Sequence, residues 1–117
     1  MDGKHVKAKI LIVDDDQDIA TMLEDRLQAS DYGTILAEDG VQALEKVEQE
    51  APSLMLLDLD MPRLGGLEVL KRLPTIKQAE DIPVIVMTAH GSIEAAVEAM
   101  KHGAYDFLTK PLDKDHL

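Results

Sequence analysis

Apolar residues in this chain fall into five short, near-continuous runs, and stretches of helical periodicity separate them. The run AKILIV (8–13) predicts a buried strand, followed by a helix from Gln17 to Ser30 with Ile19, Met22, Leu23 and Leu27 turned inward. TILAE (34–38) predicts a second strand. Val41, Leu44, Val47 and Ala51 then recur at helical spacing until Pro52 ends the pattern. SLMLLD (53–58) is the third predicted strand, MPRLGG (61–66) a turn, and Leu67, Leu70 and Leu73 a short helix ending at Pro74. PVIVMTA (83–89) predicts the fourth strand. Ser92 then suits the N-cap of a helix with Ile93, Ala96, Val97 and Met100 inside, closed by Gly103. YDFLTK (105–110) is the fifth strand, and Asp113 is placed to cap a fifth helix of which only one turn precedes Leu117.

Apolar strands alternating with helices argue for a parallel sheet covered on both faces, and right-handed crossovers make that a three-layer α/β sandwich. At 117 residues the chain is read as one domain, with an aliphatic core, since it holds one Phe, two Tyr and no Trp. The absence of cysteine excludes disulfides, a thiol nucleophile and Cys-ligated zinc. A formal charge of −11 argues against direct contact with nucleic acid. No apolar stretch approaches membrane-spanning length, and the basic N-terminal extension 1–7 lacks the apolar core of a signal peptide, so a cytoplasmic location is expected.

Charge enters the picture at the end of the first strand. ILIVDDDQD (10–18) delivers four carboxylates within five positions of a buried run. In a parallel α/β sheet all strand carboxyl ends share one edge, where ligands bind. That edge receives Asp14 and Asp15 from strand one, Asp58 from strand three, Thr88 and Ala89 from strand four and Lys110 from strand five. Three carboxylates make a hard-oxygen site for a small divalent cation, and Mg²⁺ suits it because it keeps several waters and leaves room for phosphate oxygens. Unscreened, the same carboxylates would raise one another's pKa values. Lys110 is read as the partner of an anion that arrives later, since the cation already neutralises the acids. Asp16 is read as the N-cap of the first helix and Asp18 as favouring its positive end. The D-x-D-x-D spacing from Asp14 is not a calcium loop, because Ile19 stands where glycine is required and Asp25 where a bidentate Glu is required.

Taken together, ILIVDDD, LLDLDMPRLGG, MTAHGS and GAYDFLTKPLD resemble, in order and spacing, the receiver domain of two-component response regulators, over essentially the whole of residues 1–117. The segment from Met87 to Asp113 is further similar to receivers attached to AAA+ enhancer-binding transcription activators. The resemblance implies a flavodoxin-like (βα)5 fold with strand order 2-1-3-4-5, its fifth helix incomplete in these 117 residues. It implies that Asp58 is the phosphoacceptor, that Asp15 ligates Mg²⁺ directly, with Mn²⁺ as a substitute, and that Asp14 ligates through water or orients that water. The Asp60 backbone carbonyl would complete the protein's share of the shell. Thr88 would bond the phosphoryl group and move on activation, Ala89 would supply an N–H, and Lys110 would pair with the phosphate. Phe107, three positions before the lysine, takes the switch role over Tyr105, and Asp60 and His90 occupy positions that tune phosphoryl lifetime. His5, His102 and His116 are read as solvent-facing. Gly65 departs from the pattern, where Asp is commoner. Partners implied are a sensor histidine kinase or phosphotransfer protein, with a homodimer as a further possibility and transcription as the output. The domain would catalyse only its own phosphorylation and dephosphorylation.

The main competing enzyme class is a haloacid-dehalogenase-like phosphatase, since DLD (58–60) resembles its D-x-D-x-T motif. Pro62 stands at the Thr position, however, and the motif follows strand three instead of strand one. A flavodoxin-like FMN binder would need a Ser/Thr/Gly-rich phosphate loop after strand one, where DDDQD would repel the phosphate.

Overall fold

The computed structural model describes residues 8–61, 64–88 and 93–110. Five parallel strands, β1 (Lys9–Val13), β2 (Gly33–Ala37), β3 (Leu54–Asp58), β4 (Val84–Thr88) and β5 (Asp106–Thr109), form one sheet in the order β2-β1-β3-β4-β5. The four α-helices among the described residues are α1 (Gln17–Ala29), α2 (Gly40–Glu50), α3 (Gly66–Arg72) and α4 (Ile93–Lys101). Two short 3₁₀ turns after α3 absorb Pro74 at the first helical positions, where its missing N–H costs nothing.

The central strands β1, β3 and β4 are nearly all apolar because alternate residues feed two cores. Leu11, Val13, Met55, Leu57, Val84 and Val86 pack with Ala43 and Val47 of α2, Val69 and Leu70 of α3 and Ala99 of α4. Ile10, Ile12, Leu56 and Met87 point the other way, onto Ala20 and Leu23 of α1. On this second face a groove of about 400 Å³ runs between Leu27 and Tyr32 on one side and Ile85 and Leu108 on the other. The expected fifth helix, like the N-terminal extension 1–7, lies outside the described residues.

Two helices differ from their sequence reading. In α4 the buried residues are Ala96 and Ala99, whereas Ile93, Val97 and Met100 are 68%, 49% and 41% exposed. The two stripes lie side by side on the helix, and periodicity does not choose between adjoining apolar stripes. The alanine stripe brings the helix backbone close to the sheet, which the bulkier stripe would hold off. In α2 the buried stripe is Gly40, Ala43 and Val47, with Val41 outward. Ala51 is the exposed C-cap, in the left-handed conformation at φ 46°. Two caps follow the sequence: Asp16 accepts from the N–H groups of Asp18 and Ile19, and Gly103 at φ 102° closes α4, while Ser92, the expected N-cap of α4, lies outside the described residues.

Candidate functional site

Strand register decides which side chains meet. Val13 pairs with Leu57, so the next residues along, Asp14 and Asp58, stand side by side at the carboxyl edge. Asp58 pairs with Met87 and Thr88 pairs with Thr109, which puts Thr88 and Lys110 one step further out on the neighbouring strands. The Lys110 N–H donates to the Thr88 carbonyl at 2.8 Å, fixing where the lysine side chain starts.

Asp14, Asp58 and Thr88 are buried, at 2–3% exposure, while Asp15 is exposed. Asp14, Asp15 and Asp58 each offer a carboxylate oxygen, and these three oxygens lie within 4.8 Å of one another. An all-carboxylate oxygen set with one open, exposed member is the donor chemistry of a hard divalent cation that retains water, so these residues fit Mg²⁺. The remaining lone pairs are oriented locally. The Asp16 N–H donates to Asp14 Oδ1 at 2.9 Å, and the Asp60 N–H donates to Asp58 Oδ1 at 3.1 Å.

Lys110 Nζ lies 3.0 Å from Asp14 Oδ2 and 3.4 Å from Asp58 Oδ2. The lysine therefore already bridges two acids, where the sequence reading reserved it for an incoming anion. The reason is burial: two neighbouring carboxylates removed from water require a counter-charge within the protein. Burial and then the charge of Asp14 push the Asp58 carboxyl up from 3.8 to about 7, against the pull of the Asp60 N–H and the Lys110 ammonium. Burial alone would lower Lys110, but its bond to Asp14 and the charges of Asp58 and Asp14 hold it above the ordinary lysine value.

Asp60 is exposed one turn of loop beyond Asp58, and Phe107 is 39% exposed on edge strand β5, two residues before the partner of Thr88. Ala89, His90 and Asp113 lie outside the described residues, as do His5 and His116. His102 is not simply solvent-facing: it is half-buried, with Nε2 3.2 Å from Glu98 Oε2 one helical turn away. A feature missed in the sequence is the junction of β2 and α2. Asp39, 1% exposed, caps α2 by accepting from the Gln42 N–H at 2.9 Å, and the Gln42 side chain returns to accept from the Glu38 N–H at 3.0 Å. The D-x-x-Q spacing was the available signal.

Residues 10–117 match the family model of the response regulator receiver domain. The chain is a response regulator receiver domain. This receiver is 45% identical over 117 residues to the transcriptional regulatory protein ZraR of Klebsiella oxytoca, covering all of this chain and 26% of that protein. It is 40% identical over 106 residues to the regulatory protein LuxO of Vibrio cholerae, covering 91% of this chain and 23% of LuxO. The receiver thus spans about a quarter of the length of these curated relatives. Among solved structures, a putative response regulator from Chloroflexus aurantiacus superposes with a TM-score of 0.88 at 31% identity, covering 93% of this chain and 89% of that one. NtrX from Brucella abortus gives 0.86 at 39% identity, covering 93% of this chain and 24% of NtrX. The flavodoxin-like fold and strand order of the receiver match the sequence expectation.

Proposed function

We propose that this receiver takes a phosphoryl group from a phosphohistidine of a sensor kinase or phosphotransfer protein onto Asp58, and that the modified domain controls a transcriptional output in the cytoplasm. The observation that carries the assignment is a buried carboxylate at the sheet edge, flanked within 4.8 Å by two further carboxylates and faced by a lysine at 3.4 Å. An oxygen of ionised Asp58 attacks phosphorus while the phosphorus–nitrogen bond breaks, and the imidazole departs with the electron pair and takes up a proton. Phosphoryl transfer depends mainly on alignment and charge neutralisation. Asp15, Asp58 and the Asp60 carbonyl would hold Mg²⁺, Asp14 acting through water, and the ion supplies charge neutralisation at the phosphoryl oxygens. Lys110 exchanges its contact with Asp58 for a phosphoryl oxygen, and the Thr88 hydroxyl and Ala89 N–H bind the others. Thr88 turning inward leaves room for Phe107 to follow, which is the switch. Asp60 and His90 are the positions we assign to tuning the lifetime of the phosphoryl group.

The homodimer is the second reading, favoured by exposed apolar residues: Ile93, Val97 and Met100 on α4, Tyr105 just before β5 and Phe107 on β5.

Acetyl phosphate with Mg²⁺ should add one base-labile phosphoryl group, read by intact mass. Asp58→Asn should abolish it and Asp60→Asn should not. A label that persists in Asp58→Asn would place the nucleophile elsewhere.

A further inference from the structure

The loop after Asp58 is held from two sides by residues without a side chain. Gly66, the first residue of α3, is buried, and its N–H donates to the Leu59 carbonyl at 3.2 Å. A Cβ built on Gly66 would overlap the Asp58 carbonyl oxygen and lie 2.8 Å from Leu59 Cα. Both obstacles are backbone, so neither has a rotamer to yield. Leu59 is pinned on its other side, its N–H donating to the Met87 carbonyl of β4 at 3.0 Å. The next residue, Asp60, carries the N–H on Asp58 Oδ1 and the carbonyl assigned to Mg²⁺.

The far end of the loop repeats the arrangement. Gly40, the first residue of α2, donates its N–H to the Leu64 carbonyl at 3.2 Å. A Cβ there would overlap that carbonyl and lie 2.8 Å from both Leu64 Cβ and Val69 Cγ2. The Asp39 cap on Gln42 keeps Gly40 from backing away. No side chain caps α3, because Gly65 stands at its N-cap, so the Gly66 backbone contact takes the place of a cap. Neither Gly40 nor Gly66 has a positive φ. What these positions require is close approach, not a special backbone angle.

We infer that Gly66 and Gly40 are positioning residues for phosphoryl transfer, setting through contact with the backbone of Asp58, Leu59 and Leu64 where the Asp58 carboxylate and the Asp60 carbonyl stand. This rests on the reading of Asp58 as phosphoacceptor. A methyl group at Gly66 pushes directly on the peptide after Asp58, whereas one at Gly40 acts four residues beyond Asp60. The effects are therefore graded. Alanine at the first residue of a helix otherwise favours the helix, so loss of function at these sites does not come from weaker helix formation.

The test compares Gly66→Ala, Gly40→Ala and the control Gly33→Ala, whose Cβ makes only an ordinary 3.4 Å contact with Lys9 Cγ. Labelling rates with acetyl phosphate, and Mg²⁺ affinity from amide shifts, are taken where circular dichroism shows each variant folded. Gly66→Ala should slow labelling about tenfold or more, as misplacement by a fraction of an ångström does in aligned reactions, and raise the Mg²⁺ concentration at half-saturation. Gly40→Ala should move both in the same direction by less, and Gly33→Ala should move neither. A Gly66→Ala chain that melts earlier yet keeps the native rate and Mg²⁺ affinity overturns the inference. If it does not fold, Gly40→Ala decides by the same criterion. In the unmodified chain, Mg²⁺ should shift the Gly66 and Gly40 amides together with those of residues 58–60, and unmoved glycines also overturn it. An unmodified chain that takes no label at Asp58 sinks the phosphoacceptor reading instead.

Discussion

Asp58 concentrates the residue-scale physics. Its carboxyl titrates at about 7 in the fold against 3.8 as a free side chain, chiefly because it is buried and faces Asp14. A raised carboxyl pKa means that between those two values the folded chain holds a proton the unfolded chain has lost. Stability from this group is therefore fully present below about 3.8 and is lost as pH rises to about 7. Without divalent cations, Asp58→Asn should melt above the native chain, by a margin that grows as pH rises from 3.8 to about 7 and then levels off. Excess Mg²⁺ should reverse the order, because only the carboxylate gains a ligand. Melting curves that keep a constant gap across that range would show that Asp58 is not the strained group. The sequence showed three acids and a lysine converging, but not that Lys110 would reach two acids at once. That depends on depth, and depth depends on every side chain that closes over the edge.

At the scale of elements, α4 shows what periodicity leaves open. Its apolar residues form two adjoining stripes, and hydrophobicity favours the larger side chains, yet the sheet takes Ala96 and Ala99. Packing density explains the choice: a helix seated on alanines lies close enough to leave no void beneath it. Ala99→Leu should then cost about 1–3 kcal/mol through overpacking, while Val97→Ala, at a position 49% exposed, should stay within about 0.5 kcal/mol. Urea midpoints measure both. A large loss at Val97 with tolerance at Ala99 would mean the helix is rotated from its position here. By contrast α1 was legible in detail, because Asp16 caps it by a local bond and Leu23, its fully buried leucine, lies on its one apolar stripe.

For the whole molecule, the consequence of that alanine seat is a surface. Ile93, Val97 and Met100, displaced outward, add to an exposed apolar surface that also includes Tyr105 and Phe107. Phosphorylation that turns Phe107 inward would reshape it. With acetyl phosphate and Mg²⁺, sedimentation should show the native chain associating into dimers, and Val97→Glu should remain monomeric while taking the same label. Dimers that survive Val97→Glu would assign the contact to another face, and a labelled native chain that stays monomeric would remove the homodimer.

Strand identity, the parallel sheet and the convergence of Asp14, Asp58, Thr88 and Lys110 were determined by the sequence alone. They follow from local apolar runs and from the rule that parallel strands end on one edge, neither of which needs a partner's coordinates. Only the tertiary structure decided which stripe of α4 and of α2 is inside, that Lys110 bridges Asp14 and Asp58, and that Gly66 and Gly40 press against the backbone of Asp58, Leu59 and Leu64. Those are distances between segments remote in the chain, and they are set by volume filled from both sides. A side chain reports its own polarity in sequence, but the space left for it belongs to its neighbours.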